Sequence, residues 1–210
     1  MARPPDLPPV IALFPLEGAV LLPRTRLPLH IYEPRYLQMV EDALKTPERL
    51  IGIIQPDPAG KLSRVGCAGR ITSFSELDDN RMMISLRAIS RFRLDRTEQG
   101  FAPYLRGRVL WRGFESDLAP RPETAPPGDR AALIAKLARY ADRRGLTTDW
   151  EAAQHSEEET LVNSLAMLLP FAPEEKQALL ESPTLALRRD LLDGLLEYAL
   201  RGGDDEETIQ

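Results

Sequence analysis

A thiol beside an imidazole is the smallest kit for nucleophilic catalysis, because the ring can take the proton that activates the sulfur. The chain offers one cysteine, Cys67, and two histidines, His30 and His155, so Cys67 with His30 is the pair to consider. Cys67 stands in a strand-like run from Val65 to Phe74. There a free cysteine packs as a small hydrophobe, and that reading is preferred. These three side chains do not make a zinc site unaided. His-Glu-x-x-His and Gly-x-Ser-x-Gly signatures are missing as well. Gly60-Lys61-Leu62 lacks both the upstream glycine and the following hydroxyl that a phosphate-cradling loop needs. Glu41/Asp42 and Asp78/Asp79 are paired carboxylates. Acid–base work needs two carboxyls held in different environments inside a cleft, whereas these read as an exposed helix face and a turn. His155, beside Glu157-Glu158-Glu159, reads as a solvated residue at a helix start. The expectation is a protein with no catalytic residue, no metal site and no cofactor.

Composition narrows the class. With 43% hydrophobic residues in 210, the chain can bury a substantial core without staples. A single cysteine excludes an internal disulfide framework and fits a reducing compartment. The N-terminal segment is broken by Asp6, Glu17 and repeated prolines, so it makes a poor signal peptide. No run approaches the ~20 apolar residues of a membrane span. A cytoplasmic protein without a membrane partner is expected. The net charge of −5 divides into +4 over residues 1–110 and −9 over residues 111–210. An acidic chain of pI ≈ 5.2 is a poor general ligand for nucleic acid, which needs a basic face.

The elements that must position any site fall into two regions. Residues 1–116 carry short strand-like signals. Ile84, Leu86, Ala88, Phe92 and Leu94 alternate with polar residues, and Leu105, Gly107, Val109 and Trp111 do the same. Leu50–Ile54 reads as a buried strand, and Val65–Phe74 as a strand in which Gly66 and Gly69 imply a bulge or close backbone approach. Asp78-Asp79-Asn80 reads as a hairpin turn. One helix interrupts this region: Pro34 suits its first position, and Tyr36, Met39, Val40, Ala43 and Leu44 share a face. Asp117-Leu-Ala-Pro-Arg-Pro-Glu-Thr-Ala-Pro-Pro-Gly128 reads as a Pro-rich linker or exposed loop. Residues 129–203 read as a helical subdomain. Leu133/Ile134/Leu137/Tyr140/Ala141, Leu161/Val162/Leu165/Leu168/Leu169 and Leu187/Leu191/Leu192/Leu195/Leu196 form its apolar stripes. Ser156-x-x-Glu159 reads as a capping box, Pro173 as a helix start and Gly202-Gly203 as a stop. The acidic residues 204–210 read as a disordered tail.

Four segments in register resemble the N-terminal, substrate-binding domain family of Lon proteases. They are Ile11-Ala-Leu-Phe-Pro-Leu-Glu-Gly-Ala-Val-Leu-Leu-Pro23, Leu27-Pro-Leu-His-Ile-Tyr-Glu-Pro-Arg-Tyr36 with Met39-Val40, Val65-Gly-Cys-Ala-Gly-Arg-Ile71 and Ile89-Ser-Arg-Phe-Arg-Leu94. Leu161-Val-Asn-Ser-Leu-Ala-Met-Leu-Leu-Pro170 and Lys176-Gln-Ala-Leu-Leu-Glu181 resemble the helical extension of short, stand-alone bacterial members. The chain departs from the family pattern at Asp79-Asn80, where Asp-Gly is usual, and at Ala88, where glycine is usual. The resemblance implies an α+β fold: a PUA-like β pseudo-barrel with one embedded helix, followed by a helical bundle. It implies recognition of unfolded or degron-bearing polypeptide, without the ATPase and Ser/Lys protease parts of Lon. An adaptor role in protein quality control, alongside a separate ATP-dependent protease, goes with it.

Tyr32, Glu33, Arg35, Tyr36, Arg91, Phe92 and Trp111 are the peptide-binding candidates on this reading. Most have a plainer one. Pro34 as a helix start makes Tyr36 a core aromatic and Glu33–Arg35 a local polar pair. Arg91 and Arg93 fall on the polar face of a strand, and Trp111 and Phe114 lie next to the linker, Trp111 at the seam between subdomains. The competing function is RNA binding through a PUA-like barrel, which rests on fold analogy. The arginines of strands 81–96 and 104–112 are compatible with it, and the acidic net charge and lack of basic–aromatic interleaving argue against it.

Overall fold

The computed structural model describes residues 7–79, 81–124, 130–147 and 150–206. It has the expected α+β architecture. The strands are β1 (Val10–Pro15), β2 (Arg26–Ile31), β3 (Leu50–Ile54), β4 (Val65–Leu77), β5 (Arg81–Glu98) and β6 (Leu105–Leu110). They form one sheet in the order β2-β5-β4-β3-β1-β6, and a further β5–β6 pairing closes β1, β3, β4, β5 and β6 into a ring. Closure depends on the length of β5. Its first half lies between β4 and β2, while its second half turns from β4 to β6 through a register shift at Leu94/Arg96. β1 and β3 are parallel, joined through β2 and helix α1 (Pro34–Leu44). β2 is the sheet's edge, where Pro28, which has no N–H to offer, is tolerated.

The barrel interior is solid. Ile11, Leu13, Leu50, Ile54, Ala68, Phe92 and Val109 fill it, with Leu94 and Trp111 packed against them. Gly66 and Gly107 leave the room these side chains occupy. A Cβ on Gly66 would sit 2.6 Å from Phe92 and 2.6 Å from the Ile53 carbonyl, and one on Gly107 would sit 2.6 Å from Leu13. The close approach expected at Gly66 is therefore real, and a register shift falls at Ala68/Gly69. The β4–β5 turn carries Asp79 at φ +62°, a left-handed position that aspartate tolerates better than most residues. Asn80, the other half of the expected turn, lies outside the described residues.

A second, larger core joins the outside of the barrel to the helices. It runs from Phe14, Leu21, Ile53, Cys67 and Leu86 through α1 to Leu133, Leu161, Leu180 and Leu192. The helices are α2 (Arg130–Arg144), α3 (Trp150–His155), α4 (Glu158–Leu168), α5 (Pro173–Glu181) and α6 (Leu185–Glu206), preceded by a 3-10 turn at Glu115–Leu118. Pro34 and Pro173 open their helices as expected, and the Ala172 N–H is held by Glu175 at 2.8 Å.

Several expectations need correction. Ser156-x-x-Glu159 is not a capping box: α4 starts at Glu158 with no side-chain cap, because Glu159 turns inward to Arg24 and Ser156 bonds the Ala153 carbonyl. His155 closes α3 rather than starting a helix. Leu168 and Leu187 lie outside the buried stripes, being 79% and 52% exposed. Gly202-Gly203 does not stop α6, which continues to Glu206. A glycine costs only about 1 kcal/mol in a helix that is already propagating. That helix takes in the first part of the expected tail, and residues 207–210 lie outside the described set. The Pro-rich segment begins with a buried side chain, Asp117, and residues 125–128 of that expected linker lie outside the described residues.

Candidate functional site

The named candidates separate into three places. Tyr32 and Arg35 are exposed, and Glu33 is half-buried, at the junction of β2 and α1. Glu33 pairs with Arg35 at 2.8 Å, and the Arg35 guanidinium lies over the Tyr36 ring at 4.5 Å. Tyr36 is buried beneath them, its ring 4.2 Å from Phe14. Burial raises its pKa, Arg35 acts against this and Glu33 adds to it. Tyr36 is therefore a core anchor for the helix start, and only its neighbours face solvent.

Arg91 and Phe92 are a correction: neither is available to a peptide, at 1% and 0% exposure. Phe92 points into the barrel. Arg91 breaks the alternation of β5 because a register shift beside it and the helices behind it enclose both faces of the strand. Its guanidinium grips both Asp117 carboxylate oxygens, at 3.0 and 2.9 Å, and donates to the Leu180 and Ser182 carbonyls of the helical part. Trp111 also departs from expectation. It lies at the barrel's end, its ring 6.0 Å from Phe92 and its indole N–H on the Pro8 carbonyl. Phe114 takes the seam position instead, buried under the guanidinium groups of Arg91 and Arg93.

No thiol–imidazole pair forms. Cys67 is sealed between β3 and β5, and burial first, then the Asp117 carboxylate, push its thiol well above its ordinary pKa. His30 sits on the exposed side of β2. Among the described residues no cluster of His, Cys, Asp and Glu could hold a metal ion, and no helix is long and apolar enough to cross a membrane.

The clefts differ in character. One of about 220 Å³ between barrel loops and α5 has Glu17, Asp57 and Glu174 at its rim beside Pro56, Pro58 and Pro173, so it is an acid-rimmed opening with apolar walls. A more apolar groove of about 690 Å³ between α2 and α3 is lined by Ile134, Ala138 and Trp150.

A further open surface is the outer face of β2, β5 and the distal part of β4. Pleating puts Met82, Ile84 and Leu86 of β5 on the core and Met83, Ser85 and Arg87 on the other side. Register then builds rows across the strands. Arg26, Arg87 and Arg70 stand opposite one another, followed by Pro28, Ser85 and Ser73, and then by His30, Met83 and Ser75. Leu77 and Arg81 close the hairpin end. Tyr32 continues the face beyond β2, 64% exposed, with its ring edge-on to His30 at 6.0 Å. Met83 and Leu77 are 39% and 40% exposed. The face thus has an apolar and aromatic end, a hydroxyl-lined middle and a cationic end. Such a surface can hold an extended chain by contact and hydrogen bonding, and it holds no group poised for bond making. The alternation in residues 81–87 gives the β5 contribution from sequence; the partners on β2 depend on a register that no local pattern encodes.

Comparison with known proteins accords with this fold. The family model described as the ATP-dependent protease La (LON) substrate-binding domain matches residues 10–197. "Lon protease 2" of Myxococcus xanthus is 27% identical over 205 residues, covering 91% of this chain and 24% of that protein. "Lon protease 2" of Sorangium cellulosum is 31% identical over 106 residues, covering 47% of this chain and 13% of that protein. The chain therefore spans about a quarter or less of the length of these relatives. Among solved structures, a Lon N-terminal domain protein from Xanthomonas campestris superposes with TM-score 0.61 at 25% identity, covering 87% of this chain and 96% of that one. The N-terminal domain of Mycobacterium avium complex Lon protease gives 0.62 at 15% identity, covering 90% and 97%, and so speaks to the fold alone.

Proposed function

We propose that this chain, which belongs to the ATP-dependent protease La (LON) substrate-binding domain family, recognises extended or unfolded polypeptide and performs no chemistry itself. The observation that carries this reading is the outer face of β2 and β5, where Tyr32, His30 and Met83 lie together in solvent. Exposed aromatic and methionine side chains clustered on a rigid sheet suit a contact surface. A sheet holds them in place at little further entropic cost when a ligand arrives. The matched relatives are named Lon proteases, and this chain aligns with a fraction of each. Their names motivate the further proposal that the bound polypeptide passes to an ATP-dependent protease, an adaptor role in protein quality control.

The test is fluorescence anisotropy of a labelled, permanently unfolded polypeptide titrated with the protein. Saturable binding that survives moderate salt is expected. Tyr32→Ser with Met83→Ser should weaken it roughly tenfold or more, about 1–2 kcal/mol being typical of truncating one interface anchor. Unchanged affinity in the double variant would move the site elsewhere. Silence on polypeptide, with RNA binding that falls steeply with salt, would reject the reading.

A further inference from the structure

The row of arginines at the far end of this face is unusual. Arg26, Arg87 and Arg70 are directly opposed on three adjacent strands. Like charges directly opposite one another destabilise a sheet. Arg70 donates to the Glu48 carbonyl at 3.0 Å, but the side chains of Arg26 and Arg87 have no hydrogen bond or ion pair among the described residues, and both residues are exposed. Arg81, at the other end, is by contrast engaged with Asp78 and Asp79. The fold thus places neighbouring guanidinium forks on one surface and supplies no carboxylate to them. Strands stand about 4.8 Å apart, so the row spans roughly 10 Å. Along β5, Arg87 lies four residues from Met83, about 13 Å in an extended chain.

We infer that this face selects polypeptide segments in which an acidic side chain stands about four residues from an apolar one. The carboxylate meets the Arg26–Arg87–Arg70 row, and the apolar side chain meets Met83, His30 and Tyr32. The Ser85 and Ser73 hydroxyls between them face the ligand's backbone. The inference rests on the sheet-face reading and adds the substrate class to it. Charge complementarity chooses the occupant, since the guanidinium fork matches a carboxylate in plane and spacing. A nucleic acid fits less well. The row is one residue deep along the strands, the chain as a whole is acidic at pI ≈ 5.2, and only His30 and Tyr32 offer rings on this face.

Two labelled unfolded peptides of equal length and apolar content test this with the full chain. One carries Asp and Glu four residues from Leu and Phe, the other Asn and Gln in the same places. The acidic peptide should bind about 3–10-fold more tightly at low salt. The advantage should shrink towards 1 M salt, where the Debye length is about 3 Å. Arg87→Glu should abolish the preference, weakening the acidic peptide several-fold more than the neutral one. The same variant should raise Tm, because a carboxylate at that position would then face Arg26 and Arg70; this separates lost recognition from lost folding. Equal affinity for the two peptides, or equal weakening of both by Arg87→Glu, overturns the inference. Tighter binding of a single-stranded RNA than of the acidic peptide, lost in Arg87→Glu, overturns it in favour of a phosphate ligand. Should Tyr32→Ser with Met83→Ser change neither peptide, the sheet-face reading itself has failed.

Discussion

Arg91 places its entire guanidinium inside the protein and still satisfies it, through two Asp117 oxygens and two helical carbonyls. Arg188 does likewise one layer away, donating to the Leu179 and Ser182 carbonyls and to Asn163, whose amide in turn reaches the Pro23 carbonyl. Burial, and then the nearby Arg91 charge, lower the Arg188 pKa to about 10, which leaves it a cation at neutral pH. A buried pair of this kind owes its importance to what remains when one half is removed. Arg91→Met should therefore destabilise the protein by about 3–5 kcal/mol by stranding the Asp117 carboxylate, measured as a fall in the urea midpoint. Arg91→Met with Asp117→Leu should recover much of that loss. Equal destabilisation by the single and double variants would mean that the carbonyl contacts, and not the charge pair, hold the seam. None of this is legible locally. Position 91 reads as the polar phase of a strand, and its partners stand 26 and about 90 residues away. Tyr32, Glu33 and Arg35 could be placed from sequence because Pro34 fixes the helix start beside them.

The elements were legible where one pattern determines them. Alternation locates β5 and β6, the apolar run locates β3, and Pro34 with its following stripe locates α1. β2 is harder to see, since Pro28 argues against a strand until the strand is known to lie at an edge. The failed capping box has a similar cause: the motif fits Ser156 and Glu159, but Arg24, from another part of the chain, competes for the glutamate and wins at 2.7 Å. Within the barrel the deciding feature is volume. Gly66→Ala would drive a methyl against the Ile53 carbonyl on one side and the Phe92 ring on the other, each at 2.6 Å. The carbonyl belongs to a paired strand and cannot move freely, so a loss of about 1–3 kcal/mol is expected by thermal or urea denaturation. Gly100→Ala, where nothing lies within 4 Å, is the control and should be close to neutral. Equal behaviour of the two variants would show that the interior has more room than this packing allows.

At the scale of the whole molecule, sequence suggests two parts and packing joins them. One hydrophobic cluster runs from strand residues such as Ile53 and Leu86 to helical ones such as Leu137, Leu180 and Leu196. Polar ties follow the same boundary. Arg24 reaches Glu159, Gln55 reaches Gln177 and the Pro173 carbonyl, and Lys176 reaches the Gly18 carbonyl. Neither part can leave without exposing apolar surface and unpairing buried donors, both of which cost free energy. The outer face of β2 and β5 contributes nothing to this joint, so it is free to contact a ligand while the helices hold the barrel behind it. We therefore expect the barrel and the helices to unfold together. In a Trp150→Phe background, the fluorescence of Trp111 reports the barrel end, and far-ultraviolet circular dichroism reports chiefly the helices. Coincident urea midpoints are the expected result for a single cooperative unit. A helical signal lost at lower urea, with Trp111 still native, would instead make the helices a separable cover on an autonomous barrel. The buried Arg91–Asp117 pair would then have to tolerate exposure with little loss, against the destabilisation expected of Arg91→Met.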